Sequence, residues 1–232
     1  MLSDRINEVK KNIEESCVKC GRDPSSVKLI AVSKMKPSEM IKEAYDSGCI
    51  SFGENYVQEL VQKYDELPAD IEWHMIGHLQ RNKVKYIIGK TRLIHSVDSI
   101  RLAQEINDRS AKIGIVTDIL AEVNVAGEEN KYGFAPEEVE NFAKEVSELK
   151  NIRLNGLMTS APYVTDPEEN RIFFKILREL SVDIDKKNID NIKMKELSMG
   201  MTGDYRVAVE EGATMVRVGT AIFGARDYGG IS

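Results

Sequence analysis

The sequence contains few of the features that mark secreted, membrane-bound or nucleic-acid-binding proteins. Its 232 residues include only three cysteines and one tryptophan, and aromatic residues make up 6% of the chain. A small, odd number of cysteines argues against a disulfide framework and for a reducing compartment, by default the cytoplasm. No apolar run has the length of a signal-peptide core or of a transmembrane helix.

Charge of one sign is also scarce. The 32 basic and 38 acidic residues are interspersed and leave a formal net charge of −6. Nucleic-acid-binding proteins usually carry a basic stripe, and membrane-surface proteins carry a polybasic cluster. We therefore expect a small-molecule ligand, with neither nucleic acid nor a membrane as partner.

Hydrophobic periodicity predicts an alternating β/α chain. Short β-branched runs alternate with longer segments of helical spacing, which is the pattern of βα units around a parallel sheet. The predicted strands are 28–34, 49–55, 71–77, 91–97, 118–125, 153–160, 195–200 and 214–222. Eight such units indicate a (β/α)8 TIM barrel of one domain, residues 1–232, with a doubly wound open sheet as the weaker alternative.

Helix boundary signals agree with the barrel. Pro37 is the expected first residue of a helix that stops at Gly48, and Ser99 is the expected cap of another helix. Little chain follows the eighth strand, so an extra N-terminal helix has to cover the place that a final helix normally fills.

A lysine ends the first predicted strand, in "AVSKMKP". If Lys34 points into the barrel, Val32 shares its side and Ser33 faces the surrounding helices. Functional groups of TIM barrels lie at the carboxyl-terminal ends of the strands, and a lysine beside an apolar interior can react with a carbonyl carbon. Position alone leaves a solvated strand-end lysine as the alternative.

The seventh and eighth predicted strands end in glycines and hydroxyl side chains. "ELSMGMTGDY" places Ser198, Gly200 and Thr202 before a helical segment, and "VRVGTAIFGA" places Gly219 and Thr220 at the end of strand eight. TIM barrels frequently bind phosphate with the loops after these two strands. We predict a phosphate site there, although glycines also serve ordinary turns.

Arg217 adds a third element to this site. It alternates with Val216 and Val218, so Arg217 and Met215 are expected to point into the barrel. A buried guanidinium needs a partner, and an ion pair with Glu54 is the structural alternative. A lysine, a phosphate site and an arginine between them match the aldehyde, phosphate and ring nitrogen of pyridoxal 5′-phosphate (PLP).

Motifs along nearly the whole chain resemble the pyridoxal phosphate homeostasis protein family, the alanine-racemase-like PLP-binding proteins. The resemblance rests on the combination of motifs and not on any one of them. They are "AVSKMKP", "FGENYVQE", "WHMIGHLQRNK", "HSVDS", "VNVAGEENKYGF", "GLMTSAP", "LSMGMTGDY" and "VRVGTAIFGAR".

The resemblance implies a barrel of the alanine racemase N-terminal-domain type and a role for each site residue. Lys34 would hold PLP as a Schiff base, Arg217 would face the pyridine nitrogen, and Asn55 would lie beside the ring. The residues that would hold the phosphate are Ser198, Met199, Gly200, Gly219 and Thr220.

The resemblance also implies a function in intracellular PLP (vitamin B6) homeostasis and amino-acid balance, without established catalytic turnover. PLP-dependent apo-enzymes would be the acceptors. An arginine at the pyridine nitrogen keeps that nitrogen unprotonated and weakens the ring as an electron sink. We expect a monomer or weak homodimer, because the second domain with which related racemases close the barrel mouth is not expected in this chain.

Two catalytic alternatives remain open. One is a PLP-dependent amino-acid racemase that takes its second base from Tyr56, Tyr132 or Tyr205. The other is a class-I aldolase in which Lys34 attacks the carbonyl of a sugar phosphate.

Other signals predict no site. The pair in "CVKC" lies in the N-terminal helical segment without a βαβ context. His74 and His78 lack the glutamate of a zinc protease motif, so we expect no metal. His78 either lines the open face or caps a helix, and Lys131 and Tyr132 are expected to be solvated.

Overall fold

The computed structural model describes residues 1–225, and within them eight parallel strands close into a barrel in chain order. The strands are β1 (Lys28–Val32), β2 (Ser51–Glu54), β3 (Glu72–Met75), β4 (Leu93–Val97), β5 (Thr117–Glu122), β6 (Ile152–Met158), β7 (Ile192–Ser198) and β8 (Met215–Val218). β8 pairs with β1 and closes the sheet on itself. The predicted TIM barrel is confirmed, and the open sheet is wrong.

Helices cover the outside of the barrel. Within residues 1–225 they are α1 (Leu2–Lys19), α2 (Ser38–Asp46), α3 (Val57–Glu66), α4 (Val84–Ile87), α5 (Ile100–Lys112), α6 (Val139–Ser147), α7 (Arg171–Asp185), α8 (Tyr205–Glu210) and α9 (Thr220–Phe223). None of the helices in this part of the chain is long and apolar enough to cross a membrane.

Helix ends follow the local chemistry, with small shifts from prediction. Ser99 caps α5, and its Oγ accepts the Leu102 N–H at 3.4 Å. Pro37 is not the first residue of α2 but its extended N-cap, so the helix starts one residue later than predicted. Strand eight was predicted too long, because Thr220–Phe223 is helical.

Helix α1 takes the place of a long final helix. It packs against α2, α8 and α9, and its apolar face is buried. The buried apolar residues of that face are Leu2, Ile6, Val9, Ile13 and Cys17. The expectation that an N-terminal helix completes the outer layer is confirmed.

The core has two layers, as alternation along parallel strands requires. A small apolar cluster fills the barrel interior, and a large one lies between the strands and the helices. The interior cluster consists of Ile30, Leu93, Leu120, Met158 and Met215. On β8, Val216 and Val218 belong to the outer cluster, so the predicted inward direction of Arg217 and Met215 agrees with the packing.

Candidate functional site

Polar side chains collect at the rim where the carboxyl-terminal ends of the strands meet. In TIM barrels the functional residues lie at this rim, because the loops that follow the strands converge there and do not have to pack in the core. The residues that end or follow the eight strands here are Lys34, Asn55, His78, Asp98, Glu122, Ser160, Thr202 and Thr220.

Arg217 lies inside the barrel just below this rim. It is only 4% exposed. One guanidinium nitrogen donates to Ser198 Oγ at 2.7 Å, and another donates to the Thr159 carbonyl oxygen at 2.8 Å. Burial lowers the pKa of Arg217 to about 10, against the opposing effect of Glu122 and Asp204. The guanidinium therefore stays cationic at neutral pH.

The predicted alternative partner of Arg217 is wrong. Glu54 lies on β2 with its side chain in the layer outside the barrel, where Lys63 Nζ of α3 donates to Glu54 Oε1 at 2.8 Å. The carboxyls that do influence Arg217 are Glu122 and Asp204, and Glu122 ends β5 two residues after the inward-facing Leu120.

Glu122 was missed because strand five was predicted to continue to residue 125. Burial, reinforced by Asp98 and opposed by Arg217, raises the pKa of Glu122 to about 7. Its Oε2 is buried and has no hydrogen-bond partner among residues 1–225. Alternation from Leu120 could have found this carboxyl at the top of the barrel interior.

A chain of hydrogen bonds runs from Arg217 down the barrel axis. Ser198 Oγ lies 2.8 Å from His95 Nδ1, and His95 Nε2 lies 2.9 Å from His74 Nδ1. Arginine can only donate, so Ser198 Oγ accepts from Arg217. Ser198, His95 and His74 continue the chain, and the His95–His74 contact joins an N–H of one ring to the unprotonated nitrogen of the other.

Burial keeps both imidazoles neutral. It lowers the pKa of His74 to about 3, with Lys28 adding to the effect. It also lowers the pKa of His95 well below its usual range, with smaller effects from His74 and Arg217. His74 also borders a cavity of about 50 Å³ at the opposite end of the barrel, a size that suits an ordered water.

The predicted phosphate residues do not all present side chains to the rim. Ser198 turns its hydroxyl to the axis, and Met199 is fully buried with its N–H bonded to the Met215 carbonyl at 3.1 Å. The Gly200 carbonyl accepts the Arg217 N–H at 3.0 Å. These three residues therefore bring backbone, and not side chains, to the end of β7.

Gly219 and Thr220 lie at the rim beside β1. A Cβ added to Gly219 would lie 3.3 Å from Val32 Cβ, so the two strands approach closely just before Lys34. The Gly219 N–H donates to Thr202 Oγ1 at 3.2 Å. This contact joins the loops after β7 and β8 and adds Thr202 to the group.

Lys34 follows β1 and is partly buried. Ser33 before it faces outward, as predicted, and donates its hydroxyl to Glu54 Oε1 at 2.6 Å. Met35 after it has a left-handed backbone, with φ of 59°. Lys34 and Gly219 thus belong to adjacent strand ends of the same rim.

A second part of the rim surrounds Asn55. A cavity of about 570 Å³ is lined by Asn55, Tyr56, Val57, Gln58, His78, Gln80 and Lys83. His78 therefore lines the open face and is not a helix cap. His78 Nδ1 lies 3.0 Å from Asp98 Oδ2.

The loop after β5 contacts one of the residues that line this cavity, His78. Tyr132 stacks on His78 with ring centroids 3.8 Å apart, and Lys131 Nζ donates to the Ser160 carbonyl at 3.2 Å. Tyr132 is 58% exposed, as predicted, but it and Lys131 also make these contacts, which the prediction did not include. The stacking fixes the loop against β3.

The other candidate residues from the sequence lie in different parts of the molecule. Tyr205 is buried on α8, where its hydroxyl accepts from Asn12 Nδ2 at 2.9 Å, so it is wrong as a rim base. His74 lies in the barrel axis, whereas His78 lies at the mouth. Cys49 is buried, as expected of a core residue.

Comparison with known proteins gives one consistent family. The family model described as alanine racemase, N-terminal domain, matches residues 5–227. The pyridoxal phosphate homeostasis protein of Aquifex aeolicus is 46% identical over 226 residues, which is 97% of this chain and 98% of that protein. The protein of the same name from Pseudomonas aeruginosa is 41% identical, over 98% of this chain and 97% of that one.

Solved structures show the same similarity. The structure of PipY from Synechococcus elongatus PCC7942, described with PLP bound, has a TM-score of 0.84 at 33% sequence identity. The match covers 97% of this chain and 100% of that chain. The similarity therefore extends over the barrel and its rim.

Proposed function

This chain belongs to the pyridoxal phosphate homeostasis protein family, and we propose that it binds PLP at the barrel rim as part of intracellular PLP (vitamin B6) homeostasis. The observation that carries the proposal is the buried, cationic Arg217 on β8, directly beside β1, the strand that Lys34 follows. A family member, PipY, is described with PLP bound.

The residues present fit the three functional groups of PLP. Gly219 lies two residues beyond Arg217, about 7 Å further in the direction of β8. The phosphate and the pyridine nitrogen of PLP are separate groups on the ring, so each can meet a different one of these two residues. β1 lies beside β8, with Ile30 level with Arg217 and Val32 against Gly219. Lys34 is therefore further toward the mouth, where the aldehyde would lie.

Lys34 is the residue that we propose binds PLP covalently. Its Nζ attacks the aldehyde carbon, the aldehyde oxygen leaves as water, and a Schiff-base C=N bond remains. When bound, PLP supplies this aldehyde and a ring that withdraws electrons. The close packing of β1 on β8 supports the assignment, because it brings Lys34 to the same edge as Gly219.

Arg217 is the residue that we propose faces the ring nitrogen. Its guanidinium is cationic and can only donate, so the nitrogen that it faces is an acceptor and carries no proton. A pyridine ring whose nitrogen is unprotonated withdraws electron density less strongly, which favours binding of the cofactor over catalytic turnover. Asn55, at the edge of the neighbouring cavity, is proposed to lie beside the ring.

The phosphate is proposed to lie against the loops after β7 and β8. The proposed set is Ser198, Met199, Gly200, Gly219 and Thr220. The Ser198 hydroxyl, the Met199 N–H and the Gly219 N–H have partners within the protein, so we propose that Thr220 offers the direct contact and that the others support the site. Thr202, bonded to Gly219, belongs to the same set.

The wider role follows from the family. We propose that residues 1–232 form one PLP-binding domain that acts in the cytoplasm as a monomer or weak homodimer. It would pass PLP to PLP-dependent apo-enzymes and so influence amino-acid balance. The cytoplasmic assignment is supported by the free thiols of Cys17, Cys20 and Cys49.

The first experiment is the visible absorption spectrum of the purified protein with PLP, followed by borohydride reduction and peptide mass mapping. We expect a reducible band and the pyridoxyl mass on Lys34 in the wild type. Lys34→Ala should lose both signals, and Lys42→Ala, exposed on α2, should keep them. A label scattered over surface lysines would refute the proposal.

Turnover is measured separately. Loss of the α-hydrogen of L-alanine in deuterated water, at the rate of a working racemase, would replace the carrier with an enzyme. Trapping of a sugar phosphate on Lys34, in protein that stays colourless with PLP, would favour the aldolase.

A further inference from the structure

Lys34 lies in a tight turn whose backbone is under strain. The Lys36 N–H donates to the Ser33 carbonyl at 3.0 Å and closes the turn around Lys34 and Met35. Met35 has φ of 59°, a conformation that glycine adopts easily and that other residues adopt only when their surroundings impose it. Contacts from the surrounding structure must therefore hold the turn in this conformation.

The residue before Lys34 is held by a buried lysine of α3. Lys63 Nζ donates to the Ser33 carbonyl at 2.9 Å and to Glu54 Oε1 at 2.8 Å. Ser33 Oγ donates to the same Glu54 oxygen at 2.6 Å. Glu54 is fully buried and Lys63 is 5% exposed, so all three hydrogen bonds are shielded from water.

The residue after Lys34 is held from the same helix. The Met35 N–H points at the Glu59 carboxylate, with distances of 3.0 Å and 3.2 Å to its two oxygens. Lys63 Nζ lies 3.4 Å from Glu59 Oε2, one helical turn away on α3. The Lys63 cluster, which consists of Ser33, Glu54, Glu59 and Lys63, thus grips the chain on both sides of Lys34.

Packing alone does not account for this cluster. A buried ion pair is costly to desolvate, and an apolar pair of similar volume usually stabilises a protein as well or better. Besides the bonds among its own side chains, the Lys63 cluster bonds two backbone groups, the Ser33 carbonyl and the Met35 N–H, and these belong to the two neighbours of Lys34. Such an arrangement is suited to holding a reacting group in one position.

We propose that the Lys63 cluster positions Lys34, by locking the Ser33–Lys36 turn so that the lysine amine is held toward the barrel mouth. The inference rests on the proposed covalent binding of PLP by Lys34. Glu59 and Lys63 are positioning residues that contact the backbone of the turn, and Glu54 supports them through Lys63 and the Ser33 hydroxyl; none of the three touches the cofactor. Their removal slows the capture of PLP without removing the amine that reacts.

The test is the rate of PLP capture by Glu59→Ala and Lys63→Met, followed by stopped-flow absorbance and by borohydride-trapped mass on Lys34. We expect capture to slow by about tenfold or more, since small misplacements of a reacting group cost rates of this order. Lys42→Met, which removes an exposed lysine paired with Asp46 on α2, should capture PLP at the wild-type rate.

A rescue variant separates positioning from general loss of structure. Met35→Gly in the Glu59→Ala background should restore most of the capture rate, because glycine adopts positive φ without an anchor. Met35 is 53% exposed, so its side chain contributes little packing. This pair of variants also decides the question if Lys63→Met does not fold.

Each outcome has one meaning. If wild-type protein is not labelled on Lys34, the proposed function fails. If wild type is labelled and Glu59→Ala captures PLP equally fast, the positioning role fails alone. Slow capture that Met35→Gly does not restore would also overturn it, because the carboxylate would then act other than by holding Met35.

Discussion

At the scale of single residues, burial decides which charges the barrel interior keeps. Arg217 stays cationic although its pKa falls to about 10, because that value is well above neutral pH. Glu122 differs, because burial raises its pKa to about 7 and its Oε2 has no partner among residues 1–225. Above neutral pH, Glu122 is therefore an ionised carboxylate in a poorly solvated place.

Glu122→Gln tests this cost. The folded pKa of Glu122, about 7, lies above its ordinary 4.5, so its contribution to stability is present below pH 4.5 and is lost as pH rises through 7. We expect the amide variant to match wild type near about pH 4 and to be more stable by about 1–3 kcal/mol near about pH 8.5. Urea unfolding without added PLP measures both values.

Glu137→Gln is the matched control, because Glu137 is exposed on the loop before α6. It should change the free energy of unfolding by less than about 0.5 kcal/mol at either pH. Equal stability of Glu122→Gln and wild type at both pH values would show that the Glu122 carboxylate ionises without cost.

At the scale of elements, the ends of neighbouring strands position each other. Gly77 follows β3, and a Cβ added there would lie 2.6 Å from both Cα and the carbonyl oxygen of Asn55, which follows β2. Such a distance is far inside van der Waals contact. The absence of a side chain at Gly77 therefore sets where Asn55 stands at the rim.

Gly77→Ala should displace Asn55 and weaken PLP binding. We expect the dissociation constant, measured by absorbance titration, to rise by about tenfold, which corresponds to about 1.4 kcal/mol. Overpacking at the strand end should also cost about 1–3 kcal/mol of folding stability.

Gly114→Ala separates the two effects. Gly114 lies before β5 at the opposite end of the barrel, with φ of 69°, so alanine is strained there but remote from the rim. It should lower stability by about 1 kcal/mol and leave the dissociation constant unchanged. Unchanged PLP affinity in Gly77→Ala would mean that Asn55 does not contact the cofactor.

At the scale of the whole molecule, α1 completes the outer layer from the other end of the sequence. Its buried face packs where the short α9 leaves space next to α8 and α2. These contacts join the first helix of the chain to the last helices of the barrel, which are far from it in sequence. The stability of the barrel should therefore depend on the apolar face of α1.

Ile6→Ala tests that dependence. Ile6 is fully buried, so the substitution leaves a cavity and should lower the free energy of unfolding by about 2–5 kcal/mol. Val18→Ala, on the same helix but 69% exposed, should change it by less than about 0.5 kcal/mol. Urea unfolding gives both values, and a mild effect of Ile6→Ala would mean that the barrel holds without α1.

Much of this architecture was predictable from periodicity. The order of strands and helices, the inward direction of Arg217 and the extra N-terminal helix all follow from patterns within short stretches of chain. Glu122 was missed because a boundary error of a few residues moves a strand end. The predicted pairing of Glu54 with Arg217 is wrong, because a carboxylate at a strand end can lie on either face of the sheet. Glu54 lies on the outer face, where it pairs with Lys63.

Local patterns in the chain are enough to predict the barrel, the strand-end lysine and the arginine two residues before Gly219, because side-chain direction along a strand or helix repeats with a fixed local period. Which side chains meet depends instead on how distant elements pack. His95 and Ser198 are 103 residues apart in the chain, and Lys63 reaches back 30 residues to Ser33. Such contacts depend on strand register and helix packing, which no local pattern specifies.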